Sequence, residues 1–215
     1  MSLGEYLSNQ GDRLLGLVVE HAVIVAVALV ISALLGVSIG VLVYRTETPR
    51  RLALQVTGVF LTIPSFALYG LLIAPLGLGA KPVVVALVMY ALLPIVRNTV
   101  TGLRGVDAAV VDSAQGMGMG RWRRLWRIEL PLAWPVIMTG IRVSAMILVG
   151  IAAIGAVING PGLGKDIFRA LARVGTPTAV VQAVAATLGI LVIALILDIG
   201  FLILGKVTTS RGIRD

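Results

Sequence analysis

The sequence predicts an all-α integral membrane protein of about five transmembrane helices. Three observations lead there. Of 215 residues, 58% are hydrophobic and 13% charged, whereas a soluble domain carries about 25% charged residues. Mean hydropathy is +1.02. Apolar runs near the length of about 20 residues needed to cross the hydrocarbon core recur between clusters of arginine. Such a composition cannot cover a water-facing surface. The length is expected to hold one compact membrane domain and no added soluble catalytic domain.

The runs can be taken in order. Residues 1–21, "MSLGEYLSNQGDRLLGLVVEH", lack the basic start and small-residue cleavage site of a secretory signal. They are expected to form an external tail. Residues 22–43 carry no charge and form the first span, with Gly36 and Gly40 as a GxxxG pair that allows close helix packing. Residues 52–80 are again uncharged and are expected to make one span plus a short exit loop, kinked at Pro64. Residues 82–96 are short between Lys81 and Arg97. They span only if the helix continues into "NTVTGL", with Arg97 near the interface. Residues 132–157 and 180–204 supply the fourth and fifth spans, interrupted only by Arg142 and Asp198. No internal repeat is evident.

Charge orients the spans. Five crossings place Arg45, Arg50, Arg51, Arg97, Arg104, Arg121, Arg123, Arg124, Arg127, Lys206, Arg211 and Arg214 on one side. They place Arg13, Lys81, Lys165, Arg169 and Arg173 on the other. Twelve against five makes the first side cytoplasmic. The expected organisation is an external tail over 1–21, a transmembrane domain over 22–205 that includes a cytoplasmic loop at 107–131, and a cytoplasmic tail over 206–215.

Several function classes fall away. A net charge of +8 would point to nucleic acid in a soluble chain. Here it sets topology and faces anionic membrane lipid, so no nucleic-acid partner is expected. The absence of cysteine removes disulfide and thiolate chemistry, and a single histidine, His21, removes a multi-histidine metal site. A membrane enzyme needs clustered acids, histidines or a nucleophile. The intramembrane pair Arg142 and Asp198 is too thin an inventory, so no catalytic residue and no metal ligand is expected. Intramembrane charges are expensive unless paired or near water, and Arg142 with Asp198 is a possible pair in the inner half of the membrane.

The loop at 107–131 is the exception to the apolar text. Asp107 can cap a short helix through "AAVVDSAQ". Asp112, Ser113 and Ala114 lie in it, and small side chains there let another protein approach the backbone. "GMGMG" stops the helix. Trp122, Leu125, Trp126 and Glu129 then fall at helical spacing among arginines, and Leu130–Pro131 is expected to open the next span.

This loop resembles that of importer permeases of the ATP-binding-cassette class, which reads E-A-A, three residues, G, nine residues, I, one residue, L-P. Here Asp112-Ser113-Ala114 is followed after three residues by Gly118, and after nine more by Ile128, Glu129, Leu130 and Pro131. Asp for Glu and Ser for Ala are the departures. The resemblance implies a type I ABC importer permease fold whose coupling helix docks on a separate ATPase. That partner would hold the ATP and Mg, with no cofactor in this chain. It further implies a second permease copy or a paralogous permease, and an external substrate-binding protein.

"FLTIPSFALYGLLIAPLGLG", "YALLPIVRNTVTGLRGVD", "GMGMGRWRRLWRIELPLAWPVIMTGIR" and "INGPGLGKDIF" are similar to the branch that imports osmoprotectants, quaternary amines such as glycine betaine, choline and carnitine. Permeases for methionine and other amino acids share the coupling loop, and a permease for an amino acid or another small cation stands as the alternative. Aromatic faces hold quaternary ammonium ions, so Phe66, Tyr69 and Tyr90, with Pro64, Ser65 and Asn159, are candidate pathway residues. Packing is the competing role for each ring. "NGPGLGKD" superficially suggests a phosphate loop, but Asn159 stands at the first required glycine and Asp166 at the Ser/Thr. A turn before a short external helix is expected there instead.

Overall fold

A computed structural model describes residues 2–208. Residues 209–215 of the expected C-terminal tail, including Arg211 and Arg214, lie outside the described residues.

Helix α1 runs unbroken from Leu3 to Val43, 41 residues. Residues 3–21 of the segment expected as an external tail are therefore helical and continuous with the first span, for two local reasons. Ser2 and Glu5 form a reciprocal cap, Ser2 N–H donating to the Glu5 carboxylate at 2.8 Å and Glu5 N–H to Ser2 Oγ at 3.3 Å. Tyr6, Leu14, Leu17 and His21 then recur at helical spacing and are buried, which continues the core stripe beyond the apolar run. At 1.5 Å per residue α1 is about 60 Å long, roughly twice the hydrocarbon thickness.

The second apolar run is a corner rather than a kinked rod. Helices α2 (Glu47–Thr62) and α3 (Ser65–Leu76) meet at 100°. Ile63 and Pro64 are extended between them, as the steric demand of a proline on its predecessor requires. The Tyr90 hydroxyl donates to the Ile63 carbonyl at 2.6 Å and satisfies the corner. Among the described residues, four helices are long and apolar enough to cross a membrane, or five if this bent pair is one span.

Helix α4 (Ala80–Arg104) does continue through "NTVTGL". It is the central rod, packed against α1, α2, α3 and α7, with Val83, Ala86, Leu87, Ala91, Ile95 and Val96 wholly buried. The GxxxG pair makes this possible. A Cβ on Gly36 would lie 2.7 Å from Ile95 Cγ2, and one on Gly40 2.6 Å from Thr99.

Helix α5 (Ala108–Gly116) stands outside the bundle. Helix α6 (Arg121–Arg124), a π turn (Leu125–Glu129), α7 (Leu130–Ile154) and a 3₁₀ turn (Gly155–Ile158) form one continuous run. Leu130–Pro131 opens α7 as expected, but the chain before it is already helical. Pro131 has no N–H and its ring crowds the carbonyl four residues back. The helix absorbs this by widening, with Leu130 N–H bonded to Leu125 O. Helix α8 (Gly164–Leu171) and α9 (Ala179–Thr208) complete the chain. Helix α9 packs on α1, α7 and α8 and leaves Leu195, Ile196 and Ile199 exposed, a face that suits hydrocarbon rather than water.

Candidate functional site

The site is built on α5. The Asp107 carboxylate accepts from Ala109 N–H at 2.8 Å and starts the helix. Gly118, at φ +77°, turns the chain where a side chain would strain it. Met119 N–H returns to Ala114 O at 3.1 Å and closes the elbow. Asp112 and Ser113 are exposed, and Ala114 is buried beneath them. The Ser113 hydroxyl donates to Ala109 O at 2.7 Å, which leaves the Asp112 carboxylate as the outward charge. Val110 and Met117 add exposed apolar surface. Ile128, Leu130 and Pro131 lie instead at the root of α7, where Leu130 and Pro131 line an apolar groove with Val37, Trp126 and Trp134.

The amphipathic face expected from Trp122, Leu125, Trp126 and Glu129 does not form. Leu125 and Glu129 are buried while both tryptophans are about two-thirds exposed. The π turn changes the phase that regular 3.6-residue spacing assumes. Sequence reasoning also missed the group that this rephasing places inside. Glu129 is 3% exposed and accepts from Tyr44 Oη, Arg45 Nη2 at 2.9 Å and Arg124 Nε at 2.9 Å. Arg45 Nε also donates to the Tyr44 hydroxyl. Arg124 reaches back with Nη1 to Gln115 Oε1 of α5 at 2.9 Å. The signal that could have found it is a lone acid among Arg121, Arg123, Arg124 and Arg127.

At the far end of α1 a second cluster forms. Asp166 is fully buried and takes a two-point bond from Arg13, at 2.7 and 2.8 Å. Burial alone would raise the Asp166 carboxyl, but the hydrogen bonds and charge of Arg13 outweigh it and hold it below the ordinary carboxylate range. Glu20 accepts from Gly162 N–H at 3.0 Å and Lys165 Nζ at 2.9 Å. The glycine loop therefore spends Gly162 N–H on an internal carboxylate and leads into α8. His21 is buried and donates from Nε2 to Val149 O at 3.0 Å.

The candidate pathway residues separate. Tyr69 and Tyr90 are buried, with hydroxyls on the carbonyls of Ile151 and Ile63. In this conformation both rings pack in the buried core. Pro64 and Ser65 sit at the α2–α3 corner. Phe66 is exposed and meets Phe168 of α8 edge to face at 6.2 Å. Asn159 is exposed in a left-handed turn at φ 61°. Arg142 and Asp198 are brought together, Nε to Oδ1 at 2.7 Å.

Apolar rods with one capped, glycine-ended helix projecting from them define a multi-pass membrane component whose exposed part suits docking. Residues 21–208 match the family described as the binding-protein-dependent transport system inner membrane component, and the chain belongs to it. It is 34% identical to the glycine betaine/carnitine/choline transport system permease protein OpuCB of Bacillus subtilis, over 97% of this chain and 94% of that one. It is 39% identical to the choline transport system permease protein OpuBB of the same organism, covering 78% and 77%. It is 36% identical to the osmoprotectant import permease protein OsmW of Salmonella typhimurium, covering 97% and 98%. Its fold is that of a chain in an inward-facing structure of the MetNI methionine ABC transporter. The TM-score is 0.80 at 19% identity, over 98% of this chain and all of that one.

Proposed function

We propose that this chain is the membrane-spanning subunit of an ATP-driven importer of quaternary-amine osmoprotectants such as glycine betaine, choline or carnitine. Helix α5 is its coupling helix. Asp112, Ser113 and Ala114 dock on a separate ATPase subunit, which holds ATP and Mg. A second permease copy or a paralogue completes the pathway, and an external binding protein delivers the solute. The elbow faces the cytoplasm and the far end of α1 faces outward, with the C-terminus inside. The observation that carries this reading is α5 itself, which presents Asp112 and Ser113 to water at the family's spacing.

The osmoprotectant class is supported by relatives 34–39% identical to this chain. The structural neighbours from the MetNI methionine transporter are 18–19% identical and carry fold and not solute. The test is reconstitution in proteoliposomes with its cognate ATPase and binding protein. Glycine betaine, choline or carnitine stimulates ATP hydrolysis and methionine does not; stimulation by methionine alone would replace the substrate class.

A further inference from the structure

We propose that Glu129 is a positioning residue for transport, a buried clamp that makes the coupling helix move as one body with α1 and α7. The inference rests on the reading of α5 as the coupling helix. Three observations carry it.

First, α5 has little to hold it. Apart from Ala114 its side chains are exposed or half-exposed, and a cleft of about 530 Å³ opens beside it, lined in part by Val111, Asp112, Arg50 and Arg104. Among the described residues, Gln115 to Arg124 is the one side-chain hydrogen bond that leaves α5 for another element. Second, that bond does not end on a surface group. Arg124 is itself buried and passes to Glu129, which also holds Tyr44 and Arg45 just past the end of α1. The carboxylate therefore joins α6 and the segment just past α1 directly, and α5 through Arg124. Third, the helix is distorted to place it there, because the π turn before Pro131 contains Glu129 and such turns recur at functional positions.

Stability alone is a poor reason for this arrangement. Desolvating a carboxylate and a guanidinium offsets most of their attraction, and apolar replacements of similar shape are often as stable. A clamp gives the charges a purpose. A push on α5 along the membrane plane would otherwise be lost into the cleft. Through Gln115, Arg124 and Glu129 it reaches α7 directly and α1 through Tyr44 and Arg45.

The chain has no cysteine, so labels can be placed cleanly at Met117→Cys on the elbow and Val27→Cys on α1. Both positions are exposed. The distance between spin labels is measured in the full complex with its ATPase, nucleotide-free and trapped with ATP and vanadate. The distance measurement requires no solute, so an error in substrate class affects only the uptake readout that follows. With the clamp intact the distance is the same in both states. Gln115→Leu, at an exposed position, cuts the link and makes the distance shift or split on trapping. In that variant solute uptake per ATP hydrolysed falls about fivefold or more. Gln115→Glu keeps an acceptor for Arg124 and restores both. A distance that changes equally with and without the link would overturn the clamp, as would full coupling in Gln115→Leu. An ATPase that does not associate with the unaltered chain would overturn the coupling-helix reading beneath it.

Discussion

Arg142 of α7 and Asp198 of α9, 56 positions apart, meet in a two-point ion pair, Nε to Oδ1 at 2.7 Å and Nη2 to Oδ2 at 2.9 Å. Parallel bonds of this kind fix orientation as well as charge. Both partners lie in helices long and apolar enough to cross a membrane, where an unpaired charge is costly. Each holds the other's desolvation in check. Arg142→Met or Asp198→Leu alone leaves one unpaired charge, whereas the double substitution leaves none. Thermal unfolding in detergent is expected to rank both single variants below the double variant. Additive losses would show that the two charges act independently.

Close approach of α1 and α4 yields a second expectation. A methyl group on Gly36 or Gly40 falls within 2.7 Å of Ile95 or Thr99. Gly36→Ala and Gly40→Ala should each cost about 1–3 kcal/mol by overpacking. Gly58→Ala, where open space surrounds the site, should be neutral or slightly stabilising. Denaturant unfolding of the three variants separates packing from helix propensity.

The far-end cluster gives a pH dependence. Asp166 titrates lower when folded because Arg13 is held against it. Its contribution is therefore complete above the unfolded carboxyl value of about 3.9 and is lost as pH falls through the lower folded value. The melting temperature of the unaltered protein should fall more steeply below about pH 4 than that of Asp166→Asn. Parallel curves would remove the cluster from the acid response.

Tyr90 is expected to matter for architecture. Its hydroxyl serves the Ile63 carbonyl at the α2–α3 corner. Tyr90→Phe should cost about 1 kcal/mol by removing a hydrogen bond to a part-buried acceptor. Solute affinity of the assembled transporter should be unchanged. Loss of affinity at unchanged melting temperature would return Tyr90 to the pathway.

What was legible in the sequence follows from the range of each signal. Asp107 and the glycines from Gly116 to Gly120 state the start and end of α5 locally, and the cap and turn occur where their chemistry puts them. Composition located the rods, since hydropathy sums over a whole segment. The 100° corner was not legible, because Pro64 permits a kink or a corner and Tyr90, 27 residues beyond Ile63, helps satisfy the corner. The helical N-terminus was hidden by its charges, which mark an exposed face but not the absence of a buried one. The Glu129 clamp was furthest from view. It needs Tyr44 and Arg45 from the segment after α1, Gln115 from α5, and a π turn that shifts the register assumed by any fixed periodicity.

The central claim is that α5 carries the contact with the ATPase. Its most direct test is a bifunctional thiol cross-link from Ser113→Cys in membranes containing the assembled complex, with Val174→Cys, in the turn after α8, as the reference position. The account predicts a cross-link to the ATPase subunit from position 113 and none from position 174. A cross-link from 174 alone, or labelling of position 113 by a membrane-impermeant reagent added outside intact cells, would contradict it.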